Sequence, residues 1–377
     1  MTLLEFIRQH LTLALISELI EHRTPVRSMI FDRVFTRREN RATARISLVE
    51  LRRMTKSMPV ISRGGQAIPL DPNNASVATI EPLSIRLSNL ITGAQLNDLK
   101  ALYGTGDEQG QSLVSAELDR MVRDLMDSTE LTRNALCAQA IAGKIDYQME
   151  SENGLERYEI TFDPDGTSKY TPDTLLDNES ATLVDVYNTI IQMRKALANA
   201  GYSGTVEVMA GANAYSTIAN LIAVTPESSR LGSVIAEDHI TVSGVSIHLN
   251  MDSYTDKDSS GKEVVKDAVD KNSLVMYVVG TGKITYCAID DVDGNLQATP
   301  FFSKVKKMDD PSAYKIISES KPMPLIPPKS ICWATVTASM GRRTALTINN
   351  NITVDTGAEQ SLQNIEDQNS EEPEKTE

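Results

Sequence analysis

A chain of 377 residues is longer than one ordinary compact domain, and 41% hydrophobic content is enough to fill more than one core. The net charge of −14 excludes a broad nucleic-acid-binding surface, because phosphate contacts need clustered cations. The three cysteines, Cys137, Cys287 and Cys332, stand far apart with no CxxC or Cys/His cluster, which argues against a disulfide framework and a zinc centre and fits a reducing compartment.

Residues 2–22 place Leu3, Leu4, Ile7, Leu11, Ala14, Leu15 and Leu19 at helical spacing. Glu5, Arg8, His10 and Glu18 interrupt the apolar run, so it reads as an amphipathic helix and not as a secretory signal or membrane span. It should end before Thr24-Pro25, since the residue before proline resists the helical region. From Arg27 to Arg63 ten basic residues face only Asp32, Glu39 and Glu50, a stretch of about +7 in a chain whose remainder is about −21; such an arm could bind nucleic acid or, equally, an acidic neighbour such as another copy of the chain. Residues 27–40 offer few structural cues. From Ala42 the period shortens: Ala44, Ile46 and Leu48 alternate with Arg45, Ser47 and Val49. Short β-type runs follow at 59–61, 66–70 and 77–80, with turns at Arg63-Gly64-Gly65 and Asp71-Pro72-Asn73-Asn74. This predicts a long two-stranded excursion with no core of its own, and such a hairpin is marginal in water unless it rests on something else.

Residues 93–103 and 108–143 are expected to be helical. In the second, Val114, Leu118, Met121, Val122, Leu125, Met126, Leu136, Ala140 and Ile141 trace one face, and Gly143 supplies a stop. Residues 146–162 read as a hairpin around Asn153-Gly154, and Asp163-Pro164-Asp165-Gly166 turns the chain again. A helix over 181–199, a strand over 205–210 and a helix over 212–223 follow, then strands over 240–250, 274–279 and 284–289. This alternation makes 179–320 an α/β unit. The proline-rich segment 321–328 is extended and leads to a β-type run, 331–338, holding the single tryptophan, Trp333. The last 27 residues carry eight acids against Lys375 and few apolar side chains, so they are expected to be disordered.

No enzyme motif stands above chance. Gly280-Thr281-Gly282-Lys283 fails as a phosphate loop, because Tyr277 stands where glycine is needed and Ile284 follows the lysine. Asp256, Asp258, Ser260 and Asp267 have the spacing of a calcium loop. Against it, position 12 is Asp instead of Glu, Glu263 occupies position 8 and the flanks look like strands, so a solvated loop is the weightier reading. The four histidines lack metal-ligand spacing, and His239 and His248 are expected at a surface or interface. No cofactor is implied.

The order of elements resembles the lambda-type major capsid proteins of tailed phages, the major capsid protein E family with the Hong Kong 97-type fold. The resemblance rests on Ile61-Ser62-Arg63-Gly64-Gly65 followed by Pro72, Ile80 and Pro82, on the helix closing through Leu131–Ile145, and on Ser320–Leu325 followed by 331–336. It implies an α+β fold with an N-terminal arm (1–40), an extended loop overlying a neighbour (41–92) and a peripheral domain with a spine helix (93–178). It also implies an axial α/β domain (179–320), a return to the peripheral domain (321–345) and a tail (346–377) beyond the usual family end. The implied function is a structural one, with no catalysis: a head subunit that assembles with itself as hexamers and pentamers into an icosahedral virion shell, built in the host cytoplasm. Implied partners are a scaffold, a portal and a decoration protein, with no membrane; DNA is enclosed without sequence-specific binding. The expected interface residues are Arg37, Arg38, Arg41, Arg45, Arg52, Arg53, Arg63, Gly64 and Gly65. Two other readings stay open: a non-viral or prophage-derived container shell of the same fold, and a soluble α/β enzyme with a regulatory arm.

Overall fold

The structure, a computed structural model, describes residues 5–7, 25–47, 79–103, 108–151, 154–162, 165–227, 230, 232–258, 261–310 and 312–338. Most of the helix expected over 2–22, the middle of the excursion and the acidic tail lie outside these residues.

The first described element of length is helix α1 (Met29–Arg33). Ser28 caps it, its hydroxyl accepting from the Phe31 N–H. Strand β1 (Arg37–Arg41) follows. Short strands β2 (Ile46–Ser47) and β3 (Thr79–Ile80) pair antiparallel, with Ile46 opposite Ile80, so the two ends of the excursion meet. After strand β4 (Ile85–Thr92) come helices α2 (Gly93–Tyr103) and α3 (Glu108–Ala140). The 33 residues of α3 span about 50 Å at ~1.5 Å per residue. Its exposed face is laced by Arg120, which pairs with Glu117 at 2.6 Å and Asp124 at 3.0 Å. Gly143, at φ +85°, takes the left-handed conformation that ends the helix without a Cβ penalty. Strands β5 (Lys144–Ser151) and β6 (Gly154–Thr161) form the hairpin, and β7 (Ser168–Tyr170) follows.

The chain then builds α4 (Leu183–Asn199), β8 (Val206–Ala210), α5 (Ala212–Val224), β9 (Val234–Ile235), β10 (Ile240–Val242) and β11 (Val245–Leu249). The Asp185 carboxylate accepts from the Thr182 N–H at 2.8 Å, capping α4. Strands β12 (Ser253–Lys257) and β13 (Glu263–Asp267) make a second hairpin. After β14 (Ser273–Val278) and β15 (Lys283–Cys287), β16 (Phe302–Met308) and β17 (Ala313–Ser320) make a third. Strands β18 (Pro322–Leu325) and β19 (Ile331–Thr335) close the described chain.

The largest sheet has seven strands in the order β7-β19-β14-β8-β11-β10-β9. One face, carrying Val206, Val208, Leu274 and Met276, packs under α4 and α5. The other, carrying Met209, Val275 and Tyr277, meets a second core with α1, the end of α3 and β15. Strand β14 is buried along its whole length, which is why its sequence is an unbroken apolar run instead of an alternating one. A third core joins the first half of α3 to β4 and β17 through Val114, Leu118, Val122, Ile91 and Ile316.

Two features depart from the sequence reading. The α/β unit expected over 179–320 delivers its strands to several sheets. Strand β15 pairs parallel with β1 and antiparallel with β18, and β17 pairs with β4, whereas β19 joins the seven-stranded sheet. These partners are far apart in sequence, so no local pattern marks them. The segment from 27 to 40 is also less coreless than its charge suggests. Ile30, Phe31, Val34 and Phe35 are all buried, and the Val34 carbonyl lies so close to Gly282 that a Cβ there would collide with it. Among the described residues no helix is long and apolar enough to cross a membrane.

Candidate functional site

The arginines expected to form an interface divide into two groups. Arg52, Arg53, Arg63, Gly64 and Gly65 lie outside the described residues. Arg37, Arg38 and Arg41 sit on β1, the outermost strand of the sheet β1-β15-β18, and Arg45 follows in the turn before β2. The structure therefore brings three of the nine onto one sheet edge, with Arg45 four residues beyond it.

Their side chains are not equivalent. Arg41 donates to Glu39 at 2.8 Å and Lys283 donates to the other oxygen of the same carboxylate at 2.9 Å. These two hydrogen bonds, Arg41 first, hold the Glu39 carboxyl below the usual carboxylate range. Arg45 pairs with Glu81 at 3.2 Å across the base of the excursion. Arg38 stacks over the Phe31 ring, 5.2 Å from its centroid, and Arg133 of α3 lies 3.7 Å from the same centroid. Arg37 is exposed, and its guanidinium reaches the Thr281 carbonyl at 3.5 Å. Such exposed pairs hold little energy, so Arg37 and Arg38 remain open to an incoming acidic group.

A groove of about 590 Å³ runs between residues 26–28, the second half of α3, β5 and the β12–β13 hairpin. Leu131, Tyr147, Tyr254 and Val265 line it, and Leu131 and Val265 are exposed. At its rim the Val26 N–H donates to Glu130 of α3 at 2.9 Å.

The calcium-like spacing has a different use. Asp256 and Asp267 fall on the paired strands β12 and β13, where Asp267 stands opposite Ser253 and Asp256 opposite Val264; Ser260 lies outside the described residues. Asp256 is fully buried, and Arg157 of β6 and Lys266 of β13 take both its oxygens, at 2.9 and 2.7 Å. Burial alone would raise the Asp256 carboxyl, but the hydrogen bonds from Arg157 and Lys266 outweigh it and hold it below the usual range. Asp267 pairs with Lys271 at 3.6 Å, and Asp258 accepts from the Lys262 N–H at 3.0 Å. The spacing thus serves a hairpin whose buried charge is met by side-chain cations. No group of acids, histidines or cysteines able to hold a metal occurs among the described residues.

One cluster escaped the sequence reading. His248, expected at a surface or interface, is only 4% exposed within the single chain. It meets Arg33 of α1 at 3.1 Å, and Glu207 of β8 accepts from the Tyr277 hydroxyl at 2.7 Å and from Arg33 at 3.4 Å. Its members are up to 244 positions apart in sequence, so no motif could mark them. The cysteines are buried too: burial pushes the Cys137 thiol up to about 12 and the Cys332 thiol to about 11, which makes them inert packing groups.

The sequence matches the phage major capsid protein E family over residues 12–336. No curated relative matches it. Among solved structures, one assigned as the capsid protein of an Escherichia coli CFT073 prophage superposes with a TM-score of 0.52 at 18% identity, covering 86% of this chain and 98% of that one. A phage-related protein from Bordetella bronchiseptica RB50 gives 0.46 at 9% identity, covering 85% and 96%. The capsid of Myoviridae phage XM1 gives 0.44 at 11% identity, covering 83% and 94%.

Proposed function

The chain belongs to the phage major capsid protein E family, and from that premise we propose that its copies associate as hexamers and pentamers and close into an icosahedral head around double-stranded DNA. The family match across 12–336 carries this reading and favours it over a non-viral container of the same fold. In this proposal α3 is the spine of a peripheral domain whose core also takes in β4 and the β16–β17 hairpin. The seven-stranded sheet with α4 and α5 is the axial domain, completed by β7 and β19. Residues 41–92 form the extended loop that overlies a neighbouring subunit and returns to its own peripheral core through β4, and residues 1–40 form an arm whose second half is anchored through α1.

The basic edge of β1 fits contact with a neighbour better than contact with the genome. An outermost strand offers alternating backbone N–H and C=O groups; a polypeptide can pair both, whereas a phosphate backbone, which only accepts, can meet the N–H groups alone. An acidic body faces packaged DNA without holding it. Each contact need only be modest, because closure makes many act together. Scaffold, portal and decoration proteins are the further partners of this reading, and the virion shell is its location, with assembly in the host cytoplasm. Electron microscopy of the expressed full chain tests it. Shells, tubes or separate hexamers and pentamers are expected; a clean monomer or dimer with a scaffold supplied overturns it.

A further inference from the structure

We propose that the contact between Arg33 and His248 is a proton-sensitive clasp that fastens α1 to the seven-stranded sheet when His248 is neutral and loosens it when the ring gains a second proton. A guanidinium only donates, so the 3.1 Å contact requires the His248 Nε2 to accept, which puts the ring hydrogen on Nδ1. A proton on Nε2 would set N–H against N–H and cation against cation. The site gives the ring little room to turn away, since it is 4% exposed and the His239 ring lies 5.4 Å from it, centroid to centroid.

Every packed element contributes a charged or titratable group. Arg33 comes from α1, Glu207 from β8 and Tyr277 from β14; His239, held by Asp238 at 2.6 Å, comes from the chain leading into β10. Glu207 and Asp238 favour the protonated ring, while burial first, then Arg33 and His239, oppose it. The balance leaves His248 below its ordinary value, so the ring is neutral near pH 7. Acidification therefore acts against the native contact.

Arg33 is the last residue of α1, and β1 begins four residues later. The front of α1 is held separately, with Asp252 accepting from the Ser28 hydroxyl at 2.8 Å and from the Ile30 N–H at 3.2 Å. Breaking the clasp thus removes one of the ties at the rear of α1, where Arg33 also pairs with Glu207 and Val34 and Phe35 are buried, while the front stays held by Asp252. Both partners of the clasp belong to one chain.

Amide hydrogen exchange of the full chain at pH 7.5 and 5.5, corrected for the intrinsic pH dependence of exchange, tests it. Amides 31–36 should open about tenfold more at the lower pH. H248Q, which offers an amide oxygen near the Nε2 position and does not titrate, should abolish that response. R33M should abolish it as well, and should raise the midpoint of the His248 ring titration followed by nitrogen chemical shifts in a chain whose fold is otherwise intact. A wild-type chain with no pH response in 31–36, or a response kept in H248Q and lost in H239Q, would overturn the clasp.

Discussion

Asp256 shows what a buried charge does when its partners come from two different hairpins. Its carboxylate is fully buried, while Arg157 and Lys266 are partly open to water, with side chains 36% and 46% exposed. Removing the carboxylate charge leaves two cations facing a neutral amide at the join between the β5–β6 and β12–β13 hairpins. D256N should lower stability by about 2–3 kcal/mol, less than for a fully buried pair because both cations retain some water. Its pH dependence has a definite sign. The folded carboxyl is held below its unfolded value of 3.8, so the unfolded chain binds the proton first. The stabilisation is complete above that value and is lost as the pH falls through the folded one. Calorimetric melting from pH 5 down to 3 should show the wild type beginning to lose this increment below 3.8 and D256N showing no matching loss. Parallel curves for the two proteins would mean that the ion cluster contributes nothing net.

At the scale of elements, α3 separates folding from surface display within one helix. Leu118 is fully buried in the core shared with β4 and β17, whereas Leu131 is 55% exposed along the groove. L118A should cost about 2–5 kcal/mol in denaturant unfolding, the loss expected for a cavity in a packed core. L131A should stay within about 0.5 kcal/mol of wild type. An equal cost for both would mean that the groove side is packed in the isolated chain. This helix was legible in the sequence because its cause is local: a 3.6-residue period carried over nine turns and a glycine stop. The β5–β6 hairpin, α4, β8 and α5 were legible for the same reason. Strand β1 was not. Arg37-Arg38-Glu39-Asn40-Arg41 has neither alternation nor β-branched residues, and it is a strand only because β15, over 240 residues later, pairs with it. Lys304, Lys306 and Lys307 hid β16 in the same way, since its partner β17 supplies the burial. The basic edge was visible as charge. Which arginines are already occupied was not, because Glu81 reaches Arg45 and Phe31 reaches Arg38 through tertiary contacts.

For the whole molecule, the decisive question is whether the β1 edge serves the chain that carries it or its neighbours. Arg41 and Arg45 are tied to Glu39 and Glu81, so their substitution would disturb the monomer and confuse the answer. Among the described residues the Arg37 side chain makes an exposed carbonyl contact and that of Arg38 an aromatic contact, each worth about 1 kcal/mol or less. Reversing both charges, R37E/R38E, should therefore shift the melting temperature of the unassembled chain by only a few degrees. Assembly multiplies the effect, because a charge reversal repeated at every subunit contact adds repulsion at each one. Shells counted by electron microscopy should vanish or fall at least tenfold, and raising the salt concentration should restore part of the yield by screening the new repulsion. Wild-type shell yield from a chain with both charges reversed would move the interface off this edge, while the family membership, which rests on the match over residues 12–336, would stand.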